Sequence, residues 1–300
     1  MAVRLRPGLA IVAVLLALPV ELLTSADPAG GSGVQTLDAD ALLDRATAYV
    51  NRFEQTLSAV IWRERYVQED RVRARVGDSG TRFAKLVGRR RLDSEMLLLW
   101  LPQEATWIAV RDVIAVDGAP RPLAERQASR ALNSAAVSVD LLRQLARDNA
   151  RFNIGHIIRT FSEPTLALSF LDATYRPRFE FSRLQSLRLD RRRVTKYAFI
   201  ERSRPTVIRD GTEDILSRGS CLVDEATGEV LETSLDIANA PGRLQGRITV
   251  RFAPHREFDV LVPVEMREIH TSTSGEEIMG IANYTDFRQF ETAGRIIVPK

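Results

Sequence analysis

The chain reads as an α+β protein, an antiparallel sheet with an N-terminal helix and a helical insert laid over it. Three observations carry this. Apolar residues recur at helical spacing only near the start and in the middle, over residues 38–57 and 122–172. The rest alternates with a period of two and is rich in β-branched and aromatic side chains. Short turn signals join the alternating runs, as at Asp117-Gly118, residues 224–228 and Ser274-Gly275, which favours antiparallel neighbours over wound βαβ units.

Residues 1–26 come first. Arg4 and Arg6 precede the uncharged apolar run of residues 9–18, Pro19 breaks it, and Thr24-Ser25-Ala26 supplies small residues. That is the pattern of a secretory signal peptide, which places the mature chain outside the cytoplasm. A retained anchor is the alternative, but a spanning helix needs roughly 20 apolar residues and Pro19 and Glu21 cut this run short. No later stretch is long and apolar enough to span a bilayer, so no transmembrane span is expected after cleavage. The only cysteine is Cys221, in a strand-like run, so neither an intramolecular disulfide nor a lipidated N-terminal cysteine is available. A mature chain of this length buries a core without such staples.

Residues 27–35 read as a flexible linker, and residues 36–300 as one domain. In the first helix Leu42, Leu43, Ala46, Tyr49, Val50, Phe53 and Leu57 form one apolar face. Strands follow over 58–76 and 89–116, the latter a hairpin turning near Pro102-Gln103. In the helical insert 122–172, Val139, Leu142, Leu145 and Ala146 keep the 3.6-residue period, and residues 156–160 and 164–172 read as shorter helical pieces. From Arg178 onward the chain is mostly strand, with a tight hairpin at 224–228 and Pro263 marking an edge or a bulge.

The motifs of common catalytic chemistry are missing. There is no His-Glu-x-x-His, Cys-x-x-Cys, Gly-x-Ser-x-Gly or glycine-rich phosphate loop. His156, His255 and His270 lie far apart and have no second ligand at metal spacing. The acid pairs sit in or beside turns, where exposed carboxylates are ordinary. No catalytic residue, metal ligand or cofactor is therefore assigned. The chain carries a formal net charge of +3, and export argues against nucleic acid as a partner. The aromatic distribution is the strongest positive signal. Trp62, Trp100 and Trp107 fall in the early strands, and Phe181 and Tyr197 in later ones. Residues 96–101 are apolar on both faces, so one face packs on helices and the other either lines a cavity or is covered by protein.

Residues 64–68, 152–155, 164–171 and 284–290 resemble segments of exported proteins of Acidobacteria and similar soil bacteria that carry no assigned activity. More distantly, the strand–turn–strand of residues 223–231 and the strands after it are similar to the LolA/LolB/RseB-like periplasmic superfamily. That resemblance implies a curved, incomplete barrel with helices across its opening, and a role in holding acyl chains or sensing the envelope. The expected function is a periplasmic, non-enzymatic protein that binds or carries an apolar ligand such as lipid, with Trp62, Trp100, Trp107, Phe181 and Tyr197 as ligand-binding residues. An envelope sensor or assembly factor working through protein contacts is the alternative, and a cofactor-independent hydrolase is third.

Overall fold

The computed structural model describes residues 10–11, 33–58, 60–76, 81–101, 106–123, 144, 149–159, 162–210, 213–238, 244–272 and 275–289. Its body is an open, curved antiparallel sheet of eleven strands, with few helices. In chain order the strands are β1 (Ala10–Ile11), β2 (Val60–Val76), β3 (Thr81–Leu101), β4 (Thr106–Val116), β5 (Ala119–Pro120), β6 (Ile158–Arg159), β7 (Phe179–Leu189) and β8 (Arg192–Glu201). They continue as β9 (Ile208–Asp210), β10 (Glu213–Ile215), β11 (Ser217–Asp224), β12 (Val230–Ala238), β13 (Leu244–His255), β14 (Phe258–Ser272) and β15 (Glu276–Gln289). The large sheet runs β5-β4-β3-β2-β15-β14-β13-β12-β11-β8-β7. Strand β1 pairs in parallel with β6, and β9 with β10 as a separate hairpin.

Most neighbours in the sheet are also neighbours in sequence, because short turns close them. Asp117 and Gly118 both take positive φ and fold β4 back on β5, the two-residue hairpin geometry that matches strand twist. At the β11–β12 turn the Asp224 carboxylate accepts from the amides of Ala226 (2.8 Å) and Thr227 (3.1 Å). Pro263 sits beside a register shift between β13 and β14, at the end where β14 no longer pairs with β15. A residue with no amide to donate is tolerated there.

Helix α1 (Gly33–Leu57) lies on the inward face of the sheet. It starts inside the expected linker, so residues 33–35 are helical. Its apolar stripe packs entirely: Leu42, Leu43, Ala46, Tyr49, Val50, Phe53 and Leu57 are all buried. Phe53 meets Phe252 of β13 edge-on, with ring centroids 6.0 Å apart, and the Tyr49 hydroxyl donates to the Leu261 carbonyl at 3.5 Å.

The outward face is solvated and organised by charge. Arg65 pairs with Asp93, Arg247 with Asp236, and Arg251 and Arg267 with Glu265, each across or along neighbouring strands. Exposed pairs of this kind add little stability but keep the face hydrophilic.

Topology fixes what covers the inward face. Strands β5 and β7 are the two outermost strands, and residues 121–178 join them. The described part of this connection runs across the sheet's interior as a strap. Residues 124–143 and 145–148, where most of the expected helix lies, are outside the described residues. Residues 156–160, expected as helix, instead include the extended pair Ile158–Arg159, because their backbone bonds go to β1, to the Asn153 side chain and to Glu276 of β15. A one-turn helix α2 (Leu166–Ser169) follows and buries Leu166, Ala167 and Leu168.

Truncating Phe53 to alanine removes the ring that ties α1 to β13. Chemical denaturation of F53A should show a loss of about 3–5 kcal/mol, the usual cost of a buried Phe→Ala change. A loss no larger than that of an exposed-site substitution would show that α1 does not belong to the core.

Candidate functional site

The inward face divides into an apolar part and a charged part. The apolar part lies under α2. Phe170 stacks on Phe179 with centroids 4.4 Å apart, and both meet Phe199 edge-on. Beside this cluster opens a groove of about 490 Å³, lined by Leu43 and Thr47 of α1, Ala173, Arg176 and Pro177 of the strap, and Phe179 and Phe181 of β7. Arg176 stands at its polar side, donating to Asp44 at 2.5 Å and to the Thr47 hydroxyl at 3.2 Å. The Thr47 hydroxyl donates in turn to the Leu171 carbonyl at 2.8 Å, so helix and strap are tied together along the groove.

The charged part is built from alternate residues of β2, β4, β14 and β15. Glu64, Tyr66 and Gln68 project inward from β2, and Glu268 and His270 from β14, all of them buried. Strand β15 separates β2 from β14, yet the Tyr66 hydroxyl donates to Glu268. Gly280 makes this contact available. It stands opposite Gln68 on one side and Glu268 on the other, and a Cβ there would come within 2.6 Å of Glu268 and 2.7 Å of Tyr66. Gly246 does the same for His270, whose ring lies where its Cβ would be, 2.5 Å from Nδ1.

Two arginines complete the cluster. Arg111 of β4 makes a two-pronged contact with Glu64, at 2.6 and 2.9 Å, and lies 5.3 Å from the Tyr66 ring centroid. Arg159 comes from the strap. Its Nε is 3.2 Å from Glu268, and its guanidinium donates to Gln68 and to the carbonyls of Ile157 (3.1 Å) and Ile154 (3.5 Å). His270 Nε2 is 3.4 Å from the other oxygen of Glu268.

The electrostatics follow from burial and these partners. Burial pushes the Glu268 carboxyl upward, but His270 and Arg159 outweigh it and hold the group well below the usual carboxylate range. Tyr66 is driven well above its ordinary value by burial and then by the negative charge of Glu268. Burial works against the charge on Arg111, and Glu64 overrides it. Glu163 on the strap is the exception. Burial lifts its carboxyl to about 7, only partly offset by Arg111 and by a backbone bond at Ala109.

The strap adheres to this region through polar contacts. Gln68 accepts from the Ile154 amide (3.2 Å) and donates to the Phe152 carbonyl (3.3 Å). Arg90 donates to the Phe152 carbonyl (3.2 Å), Arg111 to the Ser162 carbonyl (2.8 Å), and the His156 amide to Glu276 (2.7 Å).

The five aromatic residues singled out from sequence fall in different places. Phe181 lines the groove. Tyr197 is buried one register step away, since Phe181 pairs with Phe199 and Arg183 with Tyr197. Trp62 is buried in the other half of the sheet, stacked on Phe287 at 5.9 Å. Trp100 and Trp107 pair in register between β3 and β4, and their side chains lie outside the described residues. Of the histidines, His255 packs between the rings of Phe258 and Phe287, and His156 lies 3.5 Å from Glu276. Among the described residues no group of three or more His, Cys, Asp or Glu could hold a metal ion. Sequence reading missed the charged cluster, whose signal is the i, i+2 spacing of Glu64-x-Tyr66-x-Gln68 and Glu268-x-His270.

No protein-family model and no curated protein matches the chain. Solved structures are similar to it at low identity. A LolA superfamily protein of Nitrosomonas europaea is 11% identical, with 85% of this chain and 94% of that chain covered and a TM-score of 0.29. A putative outer membrane lipoprotein-sorting protein domain of Vibrio parahaemolyticus is 10% identical, covering 84% and 93%, with a TM-score of 0.33. A DUF1329 family protein of Desulfovibrio piger is 12% identical, covering 83% and 92%, with a TM-score of 0.32. Likeness at this distance says nothing about a ligand or an activity.

The raised Glu163 gives a pH test. Its folded form holds a proton that the unfolded chain releases near 4.5, so stability falls as pH rises from there towards about 7. Replacing Glu163 by glutamine removes that slope. Melting temperatures should therefore favour E163Q over wild type more at pH 8 than at pH 5. An equal difference at both pH values would place an unperturbed carboxylate at this position.

Proposed function

We propose that the protein is an exported binding or carrier protein for an apolar ligand such as lipid, with the groove between α1, the strap and β7 as its entrance. The groove itself carries this reading. Its volume, about 490 Å³, falls in the roughly 300–1,000 Å³ range of small-molecule sites. Its lining of Leu43, Ala173, Pro177, Phe179 and Phe181 is apolar, with Thr47 and Arg176 as the few polar groups that orient a ligand. Tyr197, buried one register step from Phe181, backs this surface, whereas Trp62 packs on Phe287 in the other half of the sheet. Trp100 of β3 and Trp107 of β4 belong to the same reading as further ligand-binding residues.

The signal-like residues 1–26 support a periplasmic location, and no described helix is long and apolar enough to cross a membrane. Binding is favoured over catalysis because Glu268 and His270, the acid and histidine that do converge, are buried in contacts that hold the strap. They do not line the groove.

Native mass spectrometry on protein purified from envelopes without detergent, followed by lipid extraction, tests this. A co-purifying apolar species is expected, and Ala173→Trp, which fills the groove, should remove it without lowering the melting temperature. A clean unliganded mass for the wild type would contradict the carrier reading.

A further inference from the structure

The charged cluster has a feature that a simple core contact lacks. Three of its members, Tyr66, Gln68 and Glu268, are fixed on neighbouring regions of the sheet and are seated by Gly280. The cation they enclose comes from a connection. Arg159 is buried with its whole charged head between Glu268, Gln68 and the carbonyls of Ile154 and Ile157. The connection around it, residues 149–159, is held largely by hydrogen bonds that water can replace, with Ile157 buried and Phe152 partly buried as its apolar contacts with the core among the described residues. Removing Arg159 would leave Glu268 as a buried carboxylate beside Tyr66 and His270. With Arg159 gone, His270 alone would offset this buried carboxylate, so the vacated place attracts another cation. The fork geometry, with Glu268 and Gln68 as acceptors, suits a planar guanidinium better than a point-charge ammonium.

We propose that Tyr66, Gln68, Glu268 and His270 form a binding site for an alkylguanidinium group, which Arg159 of the strap occupies in this conformation. An outside ligand bearing that group gains the site by displacing the strap. The strap is thus an internal competitor for a cation site built into the sheet, independent of what the apolar groove holds.

The probe is N-ethylguanidinium, with neutral N-ethylurea as the matched control. Arg159→Ala should lose roughly 6–20 °C in melting temperature, the usual scale for unpairing a buried charge. Millimolar ethylguanidinium should restore it saturably, ethylurea should not, and the restoration should vanish in R159A/E268Q. In the wild type, hydrogen exchange at the Ile154 amide, which bonds to Gln68, should accelerate with rising ethylguanidinium and reach a plateau. If R159A fails to fold, Arg159→Lys keeps the charge but not the fork, and its strap should be displaced at lower probe concentration than in the wild type. Equal effects of the two probes on R159A, or Ile154 exchange in wild type and R159K that does not respond to ethylguanidinium, would overturn the proposal and leave Arg159 as a structural pin.

Discussion

A single buried carboxylate, Glu268, organises the charged part of the inward face and the strap that lies on it. A buried carboxylate far from water is tolerated only when charge and hydrogen bonds surround it. Here the Tyr66 hydroxyl of β2, His270 two residues along β14, and Arg159 of the strap do so. The requirement propagates. Tyr66 can reach across β15 only because residue 280 is a glycine, and His270 has room only because residue 246 is a glycine. Arg159 can arrive only if the strap lies flat on the sheet, where Gln68, Arg90, Arg111 and Glu276 hold its backbone.

Topology makes the strap unavoidable, and electrostatics decides where it lies. Once the two outermost strands of an open sheet are joined by one connection, that connection has to cross a face. The outward face is occupied by paired surface charges, and the inward face offers apolar surface at one end and the Glu268 cluster at the other. The strap uses both, with α2 and Phe170 packed into the apolar end and residues 149–159 and 162 bonded to the charged end. The groove at Phe181 lies where α1, the strap and the edge strand meet.

Much of this architecture is legible in local pattern. The α1 stripe, the Asp117-Gly118 hairpin and the bulge at Pro263 each follow from spacing or from one residue's conformational limits. The start of α1 is less visible, because the Gly-Gly-Ser-Gly before it reads as linker while the helix begins at Gly33. The short pair Ile158–Arg159 is hidden for a different reason, since its backbone partners lie outside its own segment. The charged cluster could not be assembled from sequence at all. Tyr66 and Glu268 are 202 residues apart, and their meeting depends on β15 lying between β2 and β14. Adjacent carboxylates draw attention in a sequence, yet in a strand they point to opposite faces. The informative spacing was two, on strands whose pairing no local pattern reveals. Phe181 could be picked out by its alternation with Phe179, whereas nothing local distinguishes a tryptophan at a groove from Trp62, stacked inside the core on Phe287.

The dependence of the strap on Glu268 is measured most directly by hydrogen exchange, comparing the wild type with Glu268→Gln. The amides of residues 152–159 should exchange faster in the variant, while those of Ile248 and Val250 in β13 keep their protection. Strap amides unchanged by the substitution, or a loss of protection spread evenly over the sheet, would contradict the central place given to this carboxylate.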